Sequence, residues 1–158
     1  MNAVAEVLWH FAKWSEATSL GRVIRNSEYA FPMIEFVHLV ALAVIGGAVL
    51  VVDMRLLGLG LKKTPVAQLA KDAQPYVTGS LIVMLMTGIA LYTSEATKCY
   101  ASVAFWIKMV SLLLAMIFTY TVKRTIAARD LENKVVGVLS ILLWFGVAWG
   151  GRWIGFGG

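Results

Sequence analysis

The stretch FPMIEFVHLVALAVIGGAVLVVDMR, Phe31 to Arg55, decides the architecture. Its apolar run is long enough to cross a hydrocarbon core of ~30 Å at about 1.5 Å per helical residue. It nonetheless carries a carboxylate, Glu35, and an imidazole, His38. Three residues apart, they are expected on one side of a helix. Ionisable groups inside a spanning helix are costly, so each calls for a partner and a role.

The rest of the chain repeats this kind of run. Of 158 residues, 59% are hydrophobic, and the mean hydropathy is +0.77. Spans are expected over about 31–52, 76–95, 103–125 and 133–156. Too little chain remains for a soluble domain. The expectation is all-α: a single integral membrane domain over 1–158, built as a four-helix transmembrane bundle. An N-terminal amphipathic surface helix is expected in the surface segment 2–27, with Val4, Val7, Leu8 and Phe11 recurring at helical spacing opposite Glu6, His10 and Lys13. No basic start and unbroken apolar core of a cleavable signal peptide is read there. The single cysteine, Cys99, is expected as a free thiol in a loop.

Charge orients the chain. The net charge is +5, and in a membrane protein such an excess reads as topology rather than nucleic-acid binding. Arg55, Lys62, Lys63 and Lys71 follow the first span, and Lys123, Arg124, Arg129 and Lys134 cluster about the junction of the third and fourth. Basic loops face inward. The expected location is a bacterial inner membrane, with both termini on the periplasmic side. Trp106, Trp149 and Trp153 then fall at the outer interface. Local signals mark the helix ends. Pro32 suits a first turn, Asp130 is the expected cap of the fourth span, and a short amphipathic helix after Pro65 is expected to stop at Pro75.

Away from the span ends on the basic side, four ionisable residues matter: Glu35, His38, Lys108 and Arg152. From the helix rise, each lies about 6–10 Å in from the outer end of its span. Three different helices therefore bring charge to one outer-third layer. A lone imidazole suits haem iron better than zinc, because haem supplies four nitrogens itself while structural zinc wants four protein ligands. Lys108 and Arg152 could pair with haem propionates. Gly46, two turns beyond His38, and Gly88 in the second span are expected to smooth the wall for a flat macrocycle. The residues alone also allow a hydrogen-bonded packing histidine, a helix-start carboxylate and snorkelling cations. Asp53 and Arg55 read as boundary charges or a local salt bridge. His10 and methionines such as Met86 and Met109 are weaker ligand candidates.

The motif F-P-x-I-E-x-x-H, the glycine pair and D-x-R-L-L-G-L of FPMIEFVHLVALAVIGGAVLVVDMRLLGLGL resemble an uncharacterised bacterial family of small four-span proteins. AFWIKMVSLLL and the terminal WGGRWIGF extend that likeness along nearly the whole chain. More loosely, an early-span histidine followed later by W-I-K is similar to the membrane-embedded haem-containing protoporphyrinogen oxidases and to the copper-resistance D-type membrane domain. That resemblance implies His38 as haem ligand and a functional Lys108. The expected function is b-type haem binding and electron transfer near the outer face. The partners would be a quinol or a periplasmic redox protein, and the chain would form a homo-oligomer. The alternatives are a haem-dependent oxidase of a porphyrinogen-like substrate, which leaves enzymatic activity open, and a copper-handling or accessory protein.

Overall fold

The computed structural model describes residues 3–129 and 133–154. Those residues form helices and no strand. Two short helices come first, α1 (Ala3–Glu16) and α2 (Ser19–Asn26). The spans follow: α3 (Ala30–Leu56), α4 (Val66–Ser94), α6 (Val103–Phe118) and α8 (Lys134–Ile154). A short helix α5 (Ala96–Ala101) joins the second span to the third. The third continues through a π-helical turn, Thr119–Lys123, into α7 (Arg124–Ala128). Four helices are long and apolar enough to cross a membrane, which makes this a multi-pass protein of the lipid bilayer.

The core follows from helical periodicity on α3. His38, Ala41, Ile45, Val49, Val52 and Leu56 recur every three or four residues and are buried. Ala41, Ile45 and Val49 meet Val77, Leu81 and Met84 of α4, Leu112 and Ala115 of the third span, and Trp144 and Val147 of α8, while Val52 and Leu56 pack with Val66, Ala127 and Val136 in a second cluster. The remaining faces, such as Leu39, Val40, Val44 and Leu50, are exposed, as expected where lipid is the solvent. Helix α3 lies between α4 and α8, and α8 packs on α6. The α4 and α6 backbones stay apart, so the ring of helices opens between them.

Small residues set the close approaches. A Cβ on Gly146 would lie 2.7 Å from the Ser111 hydroxyl, and one on Gly137 would lie 3.2 Å from the Asp53 carbonyl. Both glycines serve packing within the chain.

Several ends differ from expectation. The second span does not start after Pro75: α4 runs unbroken from Val66, with Pro75 inside it. Proline there, nine residues past Val66, removes one interior backbone donor, and the packing of Val66, Leu69, Ala70 and Ala73 in the second core cluster holds the helix together. The α8 cap expected at Asp130 lies outside the described residues. Asn133 is the residue seen capping, its side chain accepting the Val136 N–H at 3.1 Å. Phe156, the expected end of the last span, also lies outside them. Pro32 sits in the first turn of α3, as its missing donor allows.

The N-terminal segment is two helices rather than one. Thr18 caps α2 through the Gly21 N–H at 3.3 Å. Gly21 lies so close to the Thr93 carbonyl that a side chain there would collide with it. Glu16 accepts from both the Thr97 N–H, at 2.8 Å, and the Thr97 hydroxyl, at 2.7 Å. The segment is thus fastened over the α4–α5 end of the bundle. Val4, Val7, Phe11 and Trp14 remain exposed on α1, suited to the interfacial lipid layer.

Candidate functional site

His38 is 6% exposed and points from α3 toward the gap between α4 and α6. Its two nitrogens have different partners. Nδ1 lies 2.9 Å from the Thr87 hydroxyl of α4, and Nε2 lies 3.2 Å from Lys108 Nζ of α6. The single Thr87 hydroxyl hydrogen is already committed to backbone carbonyls, 2.7 Å from Val83 O and 3.3 Å from Met84 O. Thr87 Oγ1 must therefore accept the Nδ1–H. The network assigns the Nδ1-protonated neutral imidazole, leaving a lone pair on Nε2 that accepts from the Lys108 ammonium.

Glycines make this arrangement possible. A Cβ on Gly88 would lie 3.3 Å from His38 Cε1, so the imidazole rests directly on the α4 backbone. A Cβ on Gly150 would come within 3.0 Å of Lys108 Cβ, and one on Gly151 within 3.6 Å of Lys108 Nζ. The glycine pair of WGGRW is therefore a trough along which the Lys108 side chain runs to His38.

Two adjoining cavities meet at the dyad. One, of about 260 Å³, is apolar and bounded by Met84, Ile89, Met109 and Leu112 beside His38. The other, of about 550 Å³, opens toward the end of the bundle where α3 begins and α8 ends, the outer end in the orientation expected from charge. Both include Gly88, Tyr92, Phe105 and Lys108. Tyr92 and Phe105 stack across the gap, centroids 5.7 Å apart. The larger volume falls in the range of small-molecule and cofactor sites, and the smaller one adjoins it.

The larger cavity gathers Glu35, His38, Gly88, Lys108 and Arg152 along its wall. Glu35 does not share the buried face of His38. It is exposed and stands at the rim with Phe31. Arg152 is likewise exposed at the mouth. Gly46 lines neither cavity, and a Cβ added there would meet nothing within 4 Å. Eight residues at about 100° each leave it some 80° off the His38 direction, so Ile45, not Gly46, follows His38 down the core face. His10 is exposed on α1, and Met86 is 67% exposed on the outside of α4. Neither lines the two cavities.

Cys99 lines the outer cavity as well, from the short helix α5 rather than from a loop. Burial pushes its thiol up to about 11, with the Glu95 carboxylate adding to the effect. It is an inert sulfur rather than a thiolate ligand.

A second polar cluster lies at the other end of the bundle, and sequence reading missed it. Asp53 is fully buried, with Lys123 Nζ 2.7 Å from its Oδ1. Lys123 also donates to the Val49 carbonyl at 3.2 Å and to the Ser140 hydroxyl at 3.3 Å. The π turn that ends with Lys123 widens the helix where this side chain turns inward. Asp53 is thus not a boundary charge. Arg55 is buried too, its Nε donating to the Thr64 carbonyl at 2.8 Å across the α3–α4 loop. Gly58, at φ 74°, supplies the left-handed residue that stops α3. The D-x-R-L-L-G-L motif therefore encodes an ion pair, a loop tie and a helix stop.

The match to known sequences agrees with this whole-chain pattern. A model for a family of unknown function, DUF6644, covers residues 11–157. The chain belongs to that family. No curated protein and no solved structure matches it. The family span takes in α2, all four membrane helices and most of the residues of both polar clusters.

The donor set can be tested against candidate groups. Among the described residues, no three His, Cys, Asp or Glu side chains converge to hold a bare metal ion. One imidazole lone pair facing a cavity of cofactor size fits a group that brings its own equatorial ligands. Gly88 seats the imidazole itself, and the cations at the wall fit an acid-bearing group.

Proposed function

We propose that this is a b-type haem-binding membrane protein with His38 Nε2 as an axial ligand. The observation that carries the reading is the buried imidazole at the cavity wall whose Nδ1–H is held by Thr87, which leaves Nε2, 3.2 Å from Lys108 Nζ, as the ligand atom. A metal-ligating histidine characteristically donates its other N–H to a fixed acceptor in this way. Haem, when bound, would supply a one-electron redox centre tuned by its axial ligand, burial and neighbouring charge. His38 would hold the iron, Thr87 would orient the ring, and Gly88 would let the imidazole sit against the α4 backbone. Lys108 would release Nε2 and remain in its glycine trough as a buried cation. Arg152, at the mouth, would face the acidic edge of the macrocycle.

In this reading the site is nearer the outer face, both termini are periplasmic, and a quinol or periplasmic protein exchanges electrons with it. The basic residues at the opposite helix ends support that orientation. A copper-handling role has one observation in its favour: Met84 and Met109 bound the cavity beside His38, and thioethers are ligands for copper(I).

The test is the absorption spectrum of protein purified in mild detergent, with and without added haem. A Soret band with α and β bands on reduction is expected at one haem per chain. Folded protein that stays colourless under haem titration refutes the proposal. Stoichiometric copper(I) uptake by such protein would move the assignment to copper.

A further inference from the structure

A third cavity, of about 500 Å³, lies at the opposite end of the bundle from His38. It sits between α4 on one side and the π turn and α7 on the other. Lys123 is twenty residues beyond Val103, or about 30 Å along the helix, so this cavity is at the far membrane boundary. It is independent of the haem reading.

Its wall is divided by chemistry. Lys71 and Arg124 are exposed cations on opposite sides of it, and Lys123 stands behind them. Gln74, Thr78 and Thr119 add uncharged polar groups. No carboxylate lines the cavity among the described residues. Among the described residues, the acids adjacent in sequence to the lining are engaged elsewhere. Asp72 is held by the Gln68 amide at 2.9 Å and 3.1 Å, and Asp53 is spent on Lys123. Toward the membrane interior the wall turns apolar, with Ala48, Val49, Val52 and Val77.

We infer that this cavity binds a phosphate-bearing anion, and that the occupant is the headgroup of an anionic phospholipid. The two exposed cations, Lys71 and Arg124, would contact the phosphate, since the charge of Lys123 is already balanced by Asp53. The apolar wall below favours a lipid over free phosphate, because only a lipid carries a chain to cover it. Basic pockets between spanning helices at a membrane surface are suited to acidic headgroups.

The experiment is native mass spectrometry of the full chain in detergent, titrated separately with phosphatidylglycerol, phosphatidylcholine and inorganic phosphate. Retained phosphatidylglycerol with little phosphatidylcholine is expected. The double variant Lys71→Gln/Arg124→Gln should weaken phosphatidylglycerol about 25-fold, since each cation near an anionic headgroup contributes about a factor of five. The pair Lys62→Gln/Lys63→Gln removes equal charge from the α3–α4 loop, outside the cavity. It should leave binding unchanged and controls for net charge. Equal loss in both double variants, or equal retention of the two lipids, would overturn the site. Binding of inorganic phosphate that phosphatidylglycerol does not displace would overturn the lipid assignment. A Lys71→Gln/Arg124→Gln protein whose melting temperature falls well below wild type is replaced by Lys71→Arg/Arg124→Lys, which should keep the preference.

Discussion

Thr87 decides which nitrogen of His38 carries the proton, because its own hydrogen is already given to Val83. Removing a partner of this kind from a metal-ligating histidine typically costs 10–100-fold in affinity, in order of magnitude. Thr87→Val should therefore weaken haem retention by about that factor while the protein stays folded, and Thr87→Ser should restore it. Unchanged haem affinity in Thr87→Val, read by haem titration, would remove Thr87 from the site. Nothing in the sequence marked this threonine, since a hydroxyl in a spanning helix ordinarily bonds its own i−4 carbonyl. It does that here and accepts from His38 as well. Cys99 gives a second residue-scale test. Its thiol is raised to about 11 from an ordinary 9.0 by burial, so at pH 8 the thiolate fraction is about a hundredfold below that of an unshifted thiol. Alkylation followed by mass should be very slow in native protein and fast in denaturant. Rapid native labelling would contradict the buried placement.

Among the elements, the third span contains the feature hardest to foresee. Its apolar run reads as one regular helix, and the depth of Lys108 followed from counting residues inward from Val103. The π turn at Thr119–Lys123 left no such mark. Asp53 and Lys123 each lie near a span end, where charge is ordinary, so their pairing was hidden until the helices were packed. Breaking a buried pair by removing one partner costs about 3–5 kcal/mol, whereas replacing both by apolar groups is often neutral. Lys123→Met should lower the unfolding midpoint in detergent substantially, and Asp53→Leu/Lys123→Met should recover most of it. A Lys123→Met protein as stable as wild type would show that the pair is not buried as described. Gly150→Leu tests the α6–α8 contact. Even a Cβ would lie 3.0 Å from the Ala104 carbonyl and from Lys108 Cβ, so the larger side chain should separate the helices and displace Lys108 from His38. Haem affinity and melting temperature should fall together in this variant, and an unchanged pair of values would count against the trough.

Across the whole molecule, two polar clusters stand at opposite ends of one apolar core. The four-span bundle and the convergence of His38, Lys108 and Arg152 at one depth could be read from hydropathy and helix rise alone. Glu35 reached the same cavity but at its rim, and Gly46 missed it, because three- and eight-residue steps do not return to the same helix direction. The function of the inner cluster needed tertiary structure, since its members are about 70 residues apart in the chain and unremarkable singly. The central claim remains that His38 is the ligand presented to the outer cavity. Its most direct measurement is haem per chain, by the pyridine haemochrome method, in wild type and His38→Ala reconstituted under identical conditions. The account predicts close to one haem in wild type and almost none in a folded His38→Ala protein. Equal haem in the two proteins would contradict it.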